Sequence, residues 1–221
     1  MKAGTLRMVV TGCRLLVFLL CVSASAGAET RFGGTAGLNW STLRGDGPEN
    51  ANYNRALGFS VGLVGDIALS KDIYLSVEPM YVRRGTDISF DVGEDEPRDS
   101  LEARLDYVDC LVMVKVLPDN GATYVSSGLG IGFLTKATLK DTRGEEADAK
   151  NLFENIDLFV AFGVGFMIPA RSSPVTVELR YQQSLLSISE PNPSVLNSDL
   201  VPRMRFSGFQ LRVAVLFPRS N

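Results

Sequence analysis

Asp66, Glu78, Arg84, Asp109, Lys115, Asp157, Glu178, Arg180 and Arg212 each occupy a polar position in a run whose alternate residues are apolar. Five acids and four bases in such places suggest two kinds of chemistry. An Asp/Glu pair can do acid–base work. The same groups can instead neutralise one another, because an unpaired charge held away from water is costly. Nothing in the spacing singles out one acid pair, so a structural network of ion pairs is the expected role of all nine.

Other chemistries close off quickly. The chain has no histidine, so a Ser-His-Asp triad is excluded and a zinc site loses its commonest nitrogen ligand. Gly128-Leu129-Gly130-Ile131-Gly132 has the period of a strand and no helix after it, unlike a phosphate loop. The acidic stretch from Asp91 to Asp99 has hard oxygens that suit Ca²⁺, but its spacing does not put a glycine and a final glutamate at the EF-hand positions. It reads as a solvated surface loop. No cofactor, metal or catalytic residue is expected.

The ends set the compartment. Lys2, Arg7 and Arg14 form a basic start, Leu15 to Val22 an apolar run, and Ala26-Gly27-Ala28 a small-residue cleavage site. Residues 1–28 therefore read as a secretory signal peptide, with residues 29–221 as one domain. Val10-Thr11-Gly12-Cys13 precedes the apolar run, whereas a lipoprotein box follows it. Without the signal, 19 basic face 25 acidic side chains, a net charge of −6 that gives no support to nucleic-acid binding. Cys110 is the one cysteine left, so no internal disulfide can form. No later apolar run is long enough for a helical span, so any crossing of a membrane must use strands.

Eight segments alternate with period two, which argues strand rather than helix. The first, Arg31 to Leu43, puts Phe32, Leu38 and Trp40 on one face and Arg31, Thr35, Asn39 and Ser41 on the other. The last, Phe209 to Phe217, has every odd position apolar, with Gln210 and Arg212 opposite. Between them, Ile156 to Ile168 alternates most cleanly. Each run is near the ~9–11 residues that a tilted membrane strand needs.

The connections alternate too. Ser70-Lys71-Asp72, Pro118 to Gly121 and Pro169 to Pro174 are short and turn-like. Those near Arg44–Asn54, Asp87–Ser100, Lys136–Asn155 and Ser187–Pro202 are long and polar. Outer-membrane barrels have short periplasmic turns and long external loops. The expected fold is all-β: an eight-stranded antiparallel up-and-down transmembrane barrel with apolar side chains toward lipid and both termini periplasmic. The nine charged residues then line its lumen, and the glycines of the second, fifth and sixth strands leave room there for arginine and tyrosine. Glu78 and Arg180 must reach across the tube to pair, with Arg84 and Arg212 as the other candidates to balance Glu78.

Ordered landmarks add a resemblance. Gly37-Leu38-Asn39-Trp40-Ser41 before Gly45-Asp46, Gly58-Phe59-Ser60-Val61-Gly62-Leu63 and Glu78-Pro79-Met80-Tyr81 resemble the PorT-like outer-membrane β-barrel family. So do Tyr107-Val108-Asp109-Cys110-Leu111, Gly128 to Gly132 and Glu178-Leu179-Arg180-Tyr181. The chain departs from the usual barrel-assembly signal, because Pro218-Arg219-Ser220-Asn221 follow the last aromatic. The resemblance implies an outer-membrane location in a Gram-negative cell envelope. It also implies an alternative role as an accessory of a protein secretion or gliding machine, with secretion-machine proteins as partners. The primary expectation is a small non-enzymatic barrel, serving envelope integrity or displaying its loops for binding. A lipid-modifying enzyme on a small barrel is the third class. Expected partners are outer-membrane lipid and, during biogenesis, the barrel-assembly machinery, with the protein otherwise monomeric.

Overall fold

The computed structural model describes residues 30–45, 51–90, 100–118, 122–142, 144–170, 173–188 and 204–218. The expected signal peptide, the acidic stretch 91–99 and the turn residues 119–121 lie outside them. The chain forms β1 (Thr30–Gly45), β2 (Ala51–Ala68), β3 (Ile73–Phe90), β4 (Ser100–Val116), β5 (Thr123–Lys140), β6 (Glu146–Asp148), β7 (Ile156–Ile168), β8 (Val175–Ser184) and β9 (Met204–Pro218).

Each wall strand pairs antiparallel with the next, and β9 returns to pair with β1 from Arg31↔Pro218 to Gly45↔Met204. The sheet is therefore a closed barrel of eight wall strands, with β6 a three-residue addition on the edge of β5. Closure leaves no open edge in the wall, the condition for strands to cross a membrane.

Alternation decides which side chain goes where. Leu57 and Leu63 are 64% exposed and Leu129 62%, whereas the inward Leu111 and Leu216 are fully buried. Large aliphatic side chains thus cover the outside, and charged ones fill the inside. Water disfavours that arrangement and lipid favours it. Ile67 and Val77 keep the outward parity of their strands but are only 8% exposed.

The strands are longer than their apolar stretches predict. β2, β3 and β5 each run 18 residues, well beyond the ~9–11 that span a membrane. The excess lies at the long-loop end. There β3 continues through Asp87 to Phe90 and pairs with β4 up to Ser89↔Ser100, residues expected to be loop. Above Tyr81, Val108 and Phe133 the outward row becomes Arg83, Asp106 and Lys136, so the apolar belt stops while the barrel continues. Register shifts between Arg55 and Ser60 and at Asp106/Tyr107 fall near this boundary. Such bulges sharpen local twist and are common at barrel rims.

Candidate functional site

All nine charged residues point inward and are at least 95% buried. They form two clusters rather than one network. On β4 the inward column, read from the long-loop end, is Ala103, Leu105, Tyr107, Asp109, Leu111, Met113 and Lys115. Asp109 belongs to the upper cluster and Lys115 to the lower one. Leu111 and Met113 separate them, packed with Met80, Val82, Phe159 and Ala161.

The lower cluster is centred on Glu78. Its Oε2 accepts from Arg180 at 2.8 Å and from Arg212, and its Oε1 from Ser76 at 3.1 Å. Lys115 lies 3.4 Å from the same carboxylate and bonds Asp66 at 2.9 Å. Glu178 accepts from Arg180 Nε and Tyr124 OH, each at 2.8 Å, and from Ser126 at 3.2 Å. Arg180 thus bridges the barrel from Glu178 on its own strand to Glu78 on β3. Three acids face three bases, so the cluster is neutral without help from solvent.

The upper cluster is Arg84, whose two terminal nitrogens donate to Asp109 at 2.5 Å and Asp157 at 2.6 Å. Ser184 also donates to Asp157 at 2.9 Å. The guanidinium lies 5.0 Å from the Tyr107 ring centroid and 4.8 Å from that of Phe159. Arg84 was one candidate to balance Glu78, and it does not. The two are six positions apart on β3, on the order of 20 Å at ~3.3 Å per residue, with Met80 and Val82 between them.

Inward glycines make these contacts fit. Gly132 on β5 lies between Asp109 on β4 and Asp157 on β7, with Asp109 Oδ1 where its Cβ would be. The carboxylate of Glu178 overlies Gly163, and the Tyr124 ring overlies Gly165. The bare backbone lets full-length side chains lie across a narrow tube.

Both ends of the lumen are closed by apolar side chains that the alternation did not reveal. At the long-loop end Leu43, Leu105, Tyr107, Leu134, Ala149, Ile188 and Phe206 pack together. Ile188 is fully buried and its backbone is tied to β9, with N–H donating to Met204 O at 2.9 Å. At the turn end Tyr74, Leu117 and Tyr124 pack together, with the Arg31 guanidinium 4.9 Å from the Tyr74 ring centroid. A pocket beside Arg84, lined by Asn39, Ser41, Gln182 and Ser184 together with Phe159, Phe206 and Phe209, offers about 20 Å³. That is room for one water and no larger guest. Purified protein in planar bilayers should therefore give no stable conductance steps of porin size. Large, reproducible steps would show that the lumen opens.

Ser76, Tyr124, Ser126 and Ser184 are hydrogen-bonding members that sequence reasoning did not assign to the network. Their signal was present as inward parity on β3, β5 and β8, but parity alone does not tell which polar residue reaches a charge. Among the described residues no group of three or more acids or cysteines converges as a metal site.

A closed wall with an apolar exterior and a charged, plugged interior has a counterpart among known families. The family model described as outer membrane protein beta-barrel domain matches residues 23–190. The chain belongs to that family. As a member of the outer membrane protein beta-barrel domain family, it is a protein of the outer membrane. The matched span ends before β9, the strand that closes the wall. No curated protein matches the chain. Among solved structures it is similar to Neisserial surface protein A at 14% identity and TM-score 0.45, over 83% of this chain and 96% of that one. It is also similar to Ail, the attachment invasion locus protein of Yersinia pestis, at 14% identity and TM-score 0.40, covering 86% and 99% of the two chains. OprG from Pseudomonas aeruginosa gives 11% identity and TM-score 0.41, over 88% and 97%.

Proposed function

We propose that this outer-membrane barrel is non-enzymatic. Its lumen is a structural core, and its long-loop end projects outside the cell to bind or brace the envelope. The observation that carries the reading is the sealed interior. Every buried acid lies against a base, and the plug of Leu43, Leu105, Ile188 and Phe206 closes the long-loop mouth. A substrate has no way in, so what the molecule offers a partner is its projecting rim. Residues 1–28 act as the export signal, and the domain from residue 29 folds with both termini in the periplasm.

The PorT-like affinity is the finer part of this proposal. Its landmarks Glu78-Pro79-Met80-Tyr81 and Glu178-Leu179-Arg180-Tyr181 contain Glu78, Glu178 and Arg180 of the lower cluster. That supports shared barrel architecture and leaves a secretion-machine role as the alternative. Co-purification of secretion-machine proteins with the native barrel would favour that alternative.

Topology tests the primary reading. In a Cys110→Ser background, single cysteines at Asp95 or Glu145 should react with an impermeant thiol reagent on intact cells. A cysteine at Asn120 should not react until the cells are lysed. Labelling at Asn120 alone would turn the barrel over and remove the long loops from the outside.

A further inference from the structure

The outward face just above the apolar belt differs around the barrel. On β3 and β4 its arginines are paired within the wall. Arg83 pairs with Asp106 at 2.7 Å and Arg104 with Glu102 at 2.6 Å. On β2, β1 and β9 they are not. The belt there ends in the cross-strand row Leu57–Trp40–Phe209, and above it stand Arg55, Arg44 and Arg205, all exposed. Arg44 and Arg205 are direct register partners on adjacent strands. The Arg55 guanidinium leans across β1 to within 6.0 Å of the Phe209 ring centroid. Among the described residues no carboxylate forms a salt bridge with any of the three.

Like charges placed directly opposite in a sheet repel, and no described carboxylate pairs with these. Guanidinium forks are shaped to grip phosphate oxygens two at a time. Arg55 stands two residues above Leu57, and Arg44 and Arg205 stand four above Trp40 and Phe209, ~13 Å along tilted strands, a height at which lipid headgroups lie. We propose that Arg44, Arg205 and Arg55 form a headgroup site for a phosphorylated glycolipid of the outer leaflet, its phosphomonoester held between β1 and β9 and its acyl chains lying on Leu57, Trp40 and Phe209. A phosphomonoester carries ~1.5–2 negative charges, against one for the phosphodiester of an ordinary phospholipid. Three arginines with no carboxylate partner among the described residues match the former better.

The proposal rests on the outward orientation of the long-loop end. A titration in vesicles is independent of orientation, so the two can fail separately. Trp40 is the only tryptophan of the chain and lies four residues below Arg44 in the same outward column, on the surface assigned to the acyl chains, which makes it the reporter. The mature barrel is refolded into phosphatidylcholine vesicles, and heat-modifiable gel mobility confirms folding. Diphosphorylated lipid A is then titrated while Trp40 emission is followed. Wild type should saturate. Arg44→Gln with Arg205→Gln should raise the half-saturating concentration at least tenfold, whereas Arg104→Gln on the self-neutralised face should leave it unchanged. Phosphatidylglycerol should not reproduce the saturation at matched concentration. Should the double glutamine variant fail to fold, Arg44→Lys with Arg205→Lys keeps the charge but loses the forks, and it should still bind several-fold more weakly. Equal binding by wild type and the folded double variant, equal weakening by Arg104→Gln, or equal saturation by phosphatidylglycerol would each overturn the site.

Discussion

Arg180→Leu is expected to lose ~3–5 kcal/mol of stability, while Arg83→Leu loses ~1 kcal/mol or less. Arg180 is fully buried and holds Glu78 and Glu178 together at 2.8 Å each. Leucine in its place leaves two carboxylates in a plugged tube with Arg212 and Lys115 to serve both and Asp66 as well. The cost comes mainly from the acids left behind rather than from the bond removed. Arg83 also makes a short ion pair, to Asp106, but its side chain is 36% exposed. Water can replace the arginine there. Urea unfolding of both variants refolded into lipid, followed by heat-modifiable mobility, measures the difference. Equal losses, or a larger one at Arg83, would mean that solvent reaches the lower cluster.

The second large effect comes from a single carbon. Gly163→Ala should cost ~2–3 kcal/mol, the range of an overpacked core. The added Cβ would occupy the space of the Glu178 carboxylate and the Ser126 hydroxyl. That carboxylate cannot swing aside freely, because Arg180, Tyr124 and Ser126 all bind it. Gly34→Ala is the matched control: a Cβ there meets nothing within 4 Å. It should be neutral or stabilising by up to ~0.5–1 kcal/mol, because alanine costs less backbone entropy than glycine in a strand. The same unfolding assay compares them. If Gly163→Ala is as harmless as Gly34→Ala, the lower cluster is not packed as described.

Period-two alternation carried most of the wall. Phe162, Val164 and Phe166 face out and Asp157 faces in, as the pattern of that segment implies. The inward position of all nine charged residues followed from the same parity. Their partnerships did not. Whether Arg84 meets Glu78 or Asp157 depends on how far each strand is staggered against its neighbours, and no residue type encodes that. The strand ends were illegible for another reason. Asp87 to Ser89 and Glu102 to Arg104 lie above the belt, where neither face meets lipid, so strand pairing persists without an apolar signal. The plug is subtler still. Ile188 stands between serines at the start of a long connection, and its backbone bonds to Met204 and Glu154, rather than any periodic pattern, give it an inside to point to.

The seam between β1 and β9 also has a temporal consequence. Its register joins residues such as Thr35 and Ala214, nearly the whole chain apart. Closing so long a loop costs on the order of 5 kcal/mol of chain entropy. No contact across the seam repays that until the final strand has been synthesised and delivered. Every shorter nascent chain is an open sheet with two unpaired borders, each a template for pairing with a neighbouring molecule. The order of events is therefore forced: export of the entire polypeptide comes first and ring closure last. A chaperone or assembly partner that shields the borders of β1 and β9 would act in the interval between them.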